Sequence, residues 1–320
     1  MISMNLNDKK KIAVIGAGYM AEEHIRAFSD IADVVVAGIF SRTRIKAENI
    51  ANKFSIEHVC DSIDELFVTT QAQLVIIAVP ELEVWGVCSN AFKYSWISLI
   101  EKPAGYNFVD AQEIAIAAKK FGHTAYVALN RRHYASTRTV LRELKGVDGK
   151  RLIHVYDQEN PVVALESGTP SEIVKNWMYA NSIHVIDYFK TLGRGDITSV
   201  EPIIHWDPET PCFVMAKINY SSGDIGIYEA IWNGPGPWAV TVTTQQKRFE
   251  LRPLEQASVQ LYKSRNLEKL QAHPWDSQFK PGLRLQAEEA VKALRHQQTL
   301  LPTLDEALES MKLVSSIYEI

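Results

Sequence analysis

Cysteine is scarce in this chain: Cys60, Cys88 and Cys212 are the only three, odd in number and far apart. That excludes a disulfide framework and leaves no close thiol pair to begin a zinc site. No His, Cys or Asp grouping has metal-ligand spacing, so no metal is expected. There is no excess of either charge, the formal net charge being -4, so neither nucleic acid nor a membrane surface is an expected partner. Long apolar runs are missing too; Leu74–Pro80 is among the longest and falls far short of a bilayer span. No G-x-S-x-G elbow occurs, and no repeat or low-complexity tract. From Asn5 to Lys11 the chain is polar, with no apolar leader behind Met1, so a cytoplasmic location with reduced thiols is expected. What remains, 320 residues at 46% hydrophobic and 22% charged, is an ordinary globular chain long enough for two domains.

What is present begins at residues 11–21, KIAVIGAGYMA. An apolar strand runs into Gly16-Ala17-Gly18, and a helix follows from Tyr19. Such a turn lets backbone N–H groups and a helix N-terminus face a pyrophosphate. Alone it is a weak signal; Glu101-Lys102-Pro103, near the far end of the same half-chain, strengthens it. Up to residue 129, apolar strands at 11–16, 33–39, 73–79, 97–101 and 124–129 alternate with helices near 19–29, 43–53, 62–66, 81–93 and 107–121. That alternation predicts a doubly wound parallel sheet. Ser62 with Glu65 fits a capping box. Pro80 and Pro103 end two strands on the edge where such sheets bind ligands. After Arg131 the texture changes: a helix at 136–145, a strand at 151–158, and β-branched and aromatic residues through 198–263. Two helices, 283–295 and 303–318, close the chain, the second capped by Thr303 and Glu306. The reading is a Rossmann domain over 1–129 and an α+β domain, with a mostly antiparallel sheet, over 130–320.

In order and spacing, Gly16-Ala17-Gly18-Tyr19-Met20-Ala21, Ala78-Val79-Pro80, Glu101-Lys102-Pro103 and Ile183-His184-Val185-Ile186-Asp187 resemble the Gfo/Idh/MocA oxidoreductases, as does the stretch Phe279–Ile320. The resemblance spans nearly the whole chain. It implies an open-faced sheet in the second domain, a bound nicotinamide dinucleotide and a sugar, polyol or nucleotide-sugar substrate. It also implies a homodimer or homotetramer, because an uncovered sheet face would expose a large apolar patch. Gly16, Gly18, Tyr19, Met20, Ser41, Arg42, Pro80 and Glu101 are the expected cofactor contacts, Glu101 as a structural partner that orients the loop or pairs with a neighbour.

The end of the second strand bears on the choice of dinucleotide. An acid there bonds the ribose 2′-hydroxyl of NAD, whereas an Arg accommodates the 2′-phosphate of NADP. Here Ile39-Phe40-Ser41-Arg42-Thr43-Arg44 carries no carboxylate before Glu48. NADP is therefore expected over NAD, with Arg42 meeting the phosphate through its planar fork; the bland alternative leaves Arg42 and Arg44 merely solvated.

Lys102 and His184 are the catalytic candidates. The resemblance gives the lysine a hydrogen bond to the reacting oxygen and the histidine an acid/base or orienting role, with Asp187 supporting the site. A lysine partly desolvated beside a cofactor can share proton transfer. His184 is read near a helix start, where a neutral imidazole is favoured, with Asp187 one turn on. Asn130, Arg131, Tyr179 and Asn181 are candidate substrate contacts. Arg131 and Arg132 together can clamp an anion, or alternatively form interdomain salt bridges. His154, Tyr156 and Asp157 lie on the first strand of the second domain, the first two on one face. One departure stands out. Relatives with dehydrogenase chemistry usually carry Asp four residues before the His, where this chain has Ala180, and often Gly where it has Ser182. The expected function is hydride transfer between NADP(H) and a carbohydrate-type substrate. A dinucleotide-binding sensor without turnover is the alternative that Ala180 favours, and imine or linear-tetrapyrrole reduction is a third reading.

Overall fold

The computed structural model describes residues 9–320, so most of the polar stretch read as leaderless lies outside the described residues. Two compact units emerge: residues up to Asn130 with Ser277–Leu308, and Arg131–Asp276 with Glu309–Ile320.

The first unit contains β1 (Lys10–Ile15), α1 (Tyr19–Ser29), β2 (Val34–Phe40), α2 (Arg44–Phe54), β3 (His58–Cys60), α3 (Ile63–Thr70), β4 (Leu74–Ile77), α4 (Val84–Ala91), β5 (Ile97–Glu101), α5 (Phe108–Phe121) and β6 (Ala125–Ala128). All strands pair in parallel, in the order β3-β2-β1-β4-β5-β6. Ile12–Ile15 and Leu74–Ile77 are buried throughout, as strands covered on both faces must be. The strand order reverses at β1, where Ile15 pairs with Phe40 on one side and Ile77 on the other. The crevice outside those strand ends is where a doubly wound sheet binds its ligand. Ser62 caps α3 by accepting from the Glu65 N–H at 3.0 Å, but the Glu65 carboxylate accepts from Asp61 rather than from Ser62, so the box is shifted by one residue.

The expected single boundary at 129/130 gives way to a chain that returns. α12 (Leu283–Leu294) lays Leu283, Ala287, Ala290, Val291 and Leu294 into the same apolar cluster as Ala21, Ile25 and Phe28 of α1. Arg284 Nε adds an ion pair to Asp30 at 2.7 Å. An amphipathic helix belongs with whichever apolar face it covers, and this one covers α1. α13 (Leu304–Tyr318) starts in the first unit and ends in the second. Its N-terminus carries the full expected box: Thr303 Oγ1 accepts from the Glu306 N–H at 3.2 Å, and the Glu306 carboxylate accepts from the Thr303 N–H at 2.8 Å.

The second unit opens with α6 (Ala135–Glu143) and β7 (Leu152–Glu159), then α7 (Pro161–Glu166) and α8 (Ser171–Lys175). A helical run follows: a π-helical turn at Met178–Ser182, α9 (Ile183–Ile186) and α10 (Tyr188–Leu192). The strands β8 (Ile197–Ile204), β9 (Phe213–Tyr220), β10 (Ile225–Trp232), β11 (Ala239–Thr243), β12 (Lys247–Leu251), β13 (Ala257–Leu261) and β14 (Glu268–Lys269), with β7, make one sheet, and α11 (Trp275–Gln278) follows them. Its order is β14-β13-β12-β11-β7-β10-β9-β8, antiparallel except for β7 with β10. Along β7, Ile153, Val155, Asp157 and Glu159 are buried while His154, Tyr156 and Gln158 are half-exposed on the other face. His154 and Tyr156 do share a face, with ring centroids 4.0 Å apart. Among the described residues no helix is long and apolar enough to cross a membrane.

Candidate functional site

In the first unit, one cavity of 510 Å³ lies at the strand-order reversal. Gly16, Gly18, Tyr19, Met20, Ser41, Arg42, Pro80, Glu101 and Lys102 all line it. Gly16 adopts φ +117°, and a Cβ there would lie 2.0 Å from the Ala78 carbonyl oxygen, so only glycine lets β1 turn this closely against the end of β4. Gly18 is different: a Cβ there meets nothing within 4 Å, so the space in front of it is open. No side chain caps the N-terminus of α1, which begins at Tyr19. Orphan N–H groups beside open space are what a pyrophosphate needs, so the residues fit a dinucleotide.

At the far side of that cavity, Ser41, Arg42, Thr43 and Lys46 gather around the start of α2. Its first turn has no acidic residue, and Arg44 and Lys46 lie there instead, against the usual dipole preference. Arg44 is taken by Glu48 and Asp61. Arg42 pairs with Glu83 at 2.9 Å, both largely exposed, and no ion pair involves Lys46 among the described residues. An exposed pair of that kind contributes only about 0–1 kcal/mol, so Arg42 exchanges partners readily. Lys46 went unremarked in the sequence because it lies beyond the strand end that the motif points to.

Glu101 is buried, and its Oε1 lies 2.9 Å from Nε2 of the equally buried His24 on α1. The residue before Lys102 is thus tied to the helix that starts at the glycine turn. Asn130, expected at the substrate, is 4% exposed, and its amide donates to the Pro281 carbonyl at 3.1 Å. That bond fastens the returning segment.

In the second unit, His184 follows the π-helical turn. Ser182, just before α9, already has helical angles, φ −59° and ψ −27°. The histidine therefore lies within a continuing helical run, and the expected helix N-terminus beside it does not exist. The Asp187 carboxylate accepts two bonds from Arg132, both 2.7 Å, and one from Ser310 Oγ at 2.6 Å. That arrangement corrects the two-arginine clamp: Arg132 is committed within its own unit. Arg131 instead places its guanidinium 4.8 Å from the Trp238 ring, and the His184 ring lies 6.1 Å from the same indole. Tyr179, expected at the substrate, is 3% exposed and packed in the core, and burial pushes its phenol up. Ala180 is buried as well.

A groove of 550 Å³ is lined by Gln158, Asn160, Thr169, Trp177, Asn181 and Trp238 among others, with no charged side chain. Beneath it, Asp157 and Glu159 are two carboxyls buried on the helix-covered face of β7. Burial, and then the neighbouring Asp157, push Glu159 well above the usual carboxylate range; burial raises Asp157. Sequence reasoning passed over Glu159. The available signal was two acids placed in register with Ile153 and Val155 on one face of an alternating strand.

Residues 10–129 match the family model described as "Oxidoreductase family, NAD-binding Rossmann fold", GFO_IDH_MocA. A 4-carboxy-2-hydroxymuconate-6-semialdehyde dehydrogenase from Sphingobium sp. (strain NBRC 103272 / SYK-6) is 23% identical over 237 residues, covering 71% of this chain and 73% of the relative. Among solved structures, a putative NADPH-dependent oxidoreductase from Desulfitobacterium hafniense DCB-2 superposes with TM-score 0.81 at 16% identity, over 98% of this chain and 95% of that one. A UDP-N-acetylglucosamine 3-dehydrogenase from Acidithiobacillus ferrooxidans gives TM-score 0.76 at 14% identity, over 97% and 96%. At such identities the structural likeness is one of fold.

Proposed function

We propose that the chain, whose residues 10–129 match the GFO_IDH_MocA model, is a nicotinamide-dependent dehydrogenase of that family and moves a hydride between NADP(H) and a carbohydrate-type substrate. The observation that carries the NADP assignment is the cationic start of α2. Arg42 and Lys46 line the cavity there, no acid occupies the end of β2 or the first turn of α2, and the helix N-terminus adds its own positive end. The bound nicotinamide supplies the hydride acceptor or donor. Lys102 polarises the reacting oxygen and shares its proton, and His184 is the partner in that transfer. Asn181, the indoles of Trp177 and Trp238 and the other amides of the uncharged groove suit the face and hydroxyls of a neutral sugar ring.

The test of the cofactor assignment is Arg42→Ala, titrated with both reduced dinucleotides. Losing a charge-assisted contact to the 2′-phosphate costs about 1.5–3 kcal/mol, so the NADPH Kd rises about 10–150-fold while the NADH Kd barely moves. Lys46→Ala acts in the same direction with a smaller effect. Equal weakening of both cofactors would remove the 2′-phosphate from the account.

We further propose a cytoplasmic protein that assembles as a homodimer or homotetramer through the less covered face of the second unit's sheet. There Leu152 and Phe213 are 45% and 53% exposed. Light scattering coupled to size exclusion returns a multiple of 36.1 kDa on this reading; a 36.1 kDa particle at all concentrations would end it.

A further inference from the structure

The carboxyl pair on β7 has no part in the reading so far, and its surroundings are specific. Asp157 and Glu159 are 1% and 0% exposed. Glu159 Oε2 accepts from Trp177 Nε1 at 2.6 Å and from Asn181 Nδ2 at 2.8 Å, and Oε1 accepts from Ser182 Oγ at 3.1 Å. The Tyr228 hydroxyl donates to Asp157 Oδ2 at 2.6 Å and lies 2.8 Å from the Tyr318 hydroxyl, to which Trp232 Nε1 donates at 3.2 Å. Every one of these partners is neutral. Among the described residues no Lys or Arg forms an ion pair with either carboxyl, and the two are neighbours two residues apart on the buried face of β7.

Two ionised carboxylates held together in a dry interior without a cation are strongly disfavoured, so such a pair keeps a proton. Asp157 Oδ1 is buried without a hydrogen bond and so can accept the O–H of Glu159; the Ser182 hydroxyl and the Trp238 indole, both neutral, also lie close to this carboxyl. The donors to Glu159 come from both ends of the π-helical turn, Trp177 just before it and Asn181 and Ser182 within it. α9, carrying His184, departs directly from that turn.

We propose that Asp157 and Glu159 share one proton and form the positioning site for His184, clamping the π-helical turn from which its helix departs. The proposal rests on the reading of His184 as the proton-transfer partner. The turn itself carries no acid, since Ala180 occupies its middle. The acid instead lies one layer beneath, on the strand, where it acts through backbone geometry and does not touch substrate. The titratable groups around the pair are Tyr228 on β10 and Tyr318 on α13, both held neutral by burial, while His184 lies on α9 beyond the turn. One turn further, Asp187 is already satisfied by Arg132 and Ser310.

Infrared difference spectroscopy on the intact protein at neutral pH tests the proton directly. One carboxylic-acid carbonyl band that shifts in D2O is expected, and it is lost both in Glu159→Gln, which removes the acid, and in Asp157→Asn, which removes the repulsion that keeps it protonated. Absence of that band in the wild-type protein would overturn the shared proton. Turnover tests positioning. Glu159→Ala releases three donors and lowers kcat about a hundredfold, the scale of a misplacement near 1 Å. Glu159→Gln keeps an acceptor for Trp177 and Asn181 and a donor toward Asp157, so it turns over at least about tenfold faster than Glu159→Ala. Equal rates for the two variants, with the wild-type pH profile, would overturn the positioning role. If Glu159→Ala fails to fold, the infrared comparison and the Glu159→Gln pH profile still decide. A wild-type rate in His184→Asn would instead sink the His184 reading and leave the infrared result standing.

Discussion

Lys102→Met is expected to lower turnover about 10³-fold, within the 10²–10⁴ range of a positioned proton-transfer group, and to change the cofactor Kd by no more than about twofold. The reasoning is local. Lys102 follows directly on β5, where Glu101 is fixed by His24, and it lines the same cavity as the glycine turn. On the proposed reading, the cavity's grip on a dinucleotide comes from the backbone at Gly16–Met20 and from the start of α2, neither of which the substitution touches. Methionine keeps most of the length and removes the charge and the donors. Stopped-flow turnover and a fluorescence titration on the same preparation separate the two effects. Near-normal turnover in Lys102→Met would refute the assigned chemistry.

The two glycines of the turn should fail in different ways. Gly16→Ala drives a Cβ into the Ala78 carbonyl oxygen, at 2.0 Å, from a φ of +117° that an L residue tolerates poorly. Backbone strain and overpacking together are expected to cost more than about 3 kcal/mol, so Tm falls and dinucleotide binding disappears with it. Gly18→Ala meets no protein atom within 4 Å and starts from φ −94°, an ordinary value. Its methyl projects into the open space assigned to the pyrophosphate, so Tm holds while affinity falls. A thermal melt and a titration on both variants check the contrast. Equal tolerance at both positions would mean that no phosphate comes close at Gly18.

Much of the first unit was legible because its signals are local. Gly16 and Gly18, Pro80 after β4 and Lys102 after β5 each punctuate a strand whose burial is written in consecutive apolar residues. β3 was missed because three residues, His58–Cys60, carry no period. The return of α12 was missed for another reason: its apolar stripe announces a buried face but not which surface covers it, and the partner Phe28 lies more than 250 positions earlier. In the second unit the alternation along β7 was readable. Its consequence for Glu159 was not, since the partners come from Trp177 and from the π-helical turn that follows it, which no local propensity marks. The same turn explains the mistaken helix start at His184. Arg132 and Asn130 illustrate a general difficulty. A polar residue at a family's usual substrate position does not reveal in sequence the intramolecular bonds it makes, here to Asp187 and to the Pro281 carbonyl.

The central claim is that the cavity at the glycine turn binds a phosphorylated nicotinamide dinucleotide for hydride transfer. The most direct measurement is a parallel fluorescence titration of the wild-type protein with NADPH and NADH at one ionic strength. The account predicts saturable binding of both, with NADPH at least about tenfold tighter, the scale of one charge-assisted contact to phosphate. A preference for NADH would contradict the role of Arg42 and Lys46, and binding of neither would contradict the claim itself.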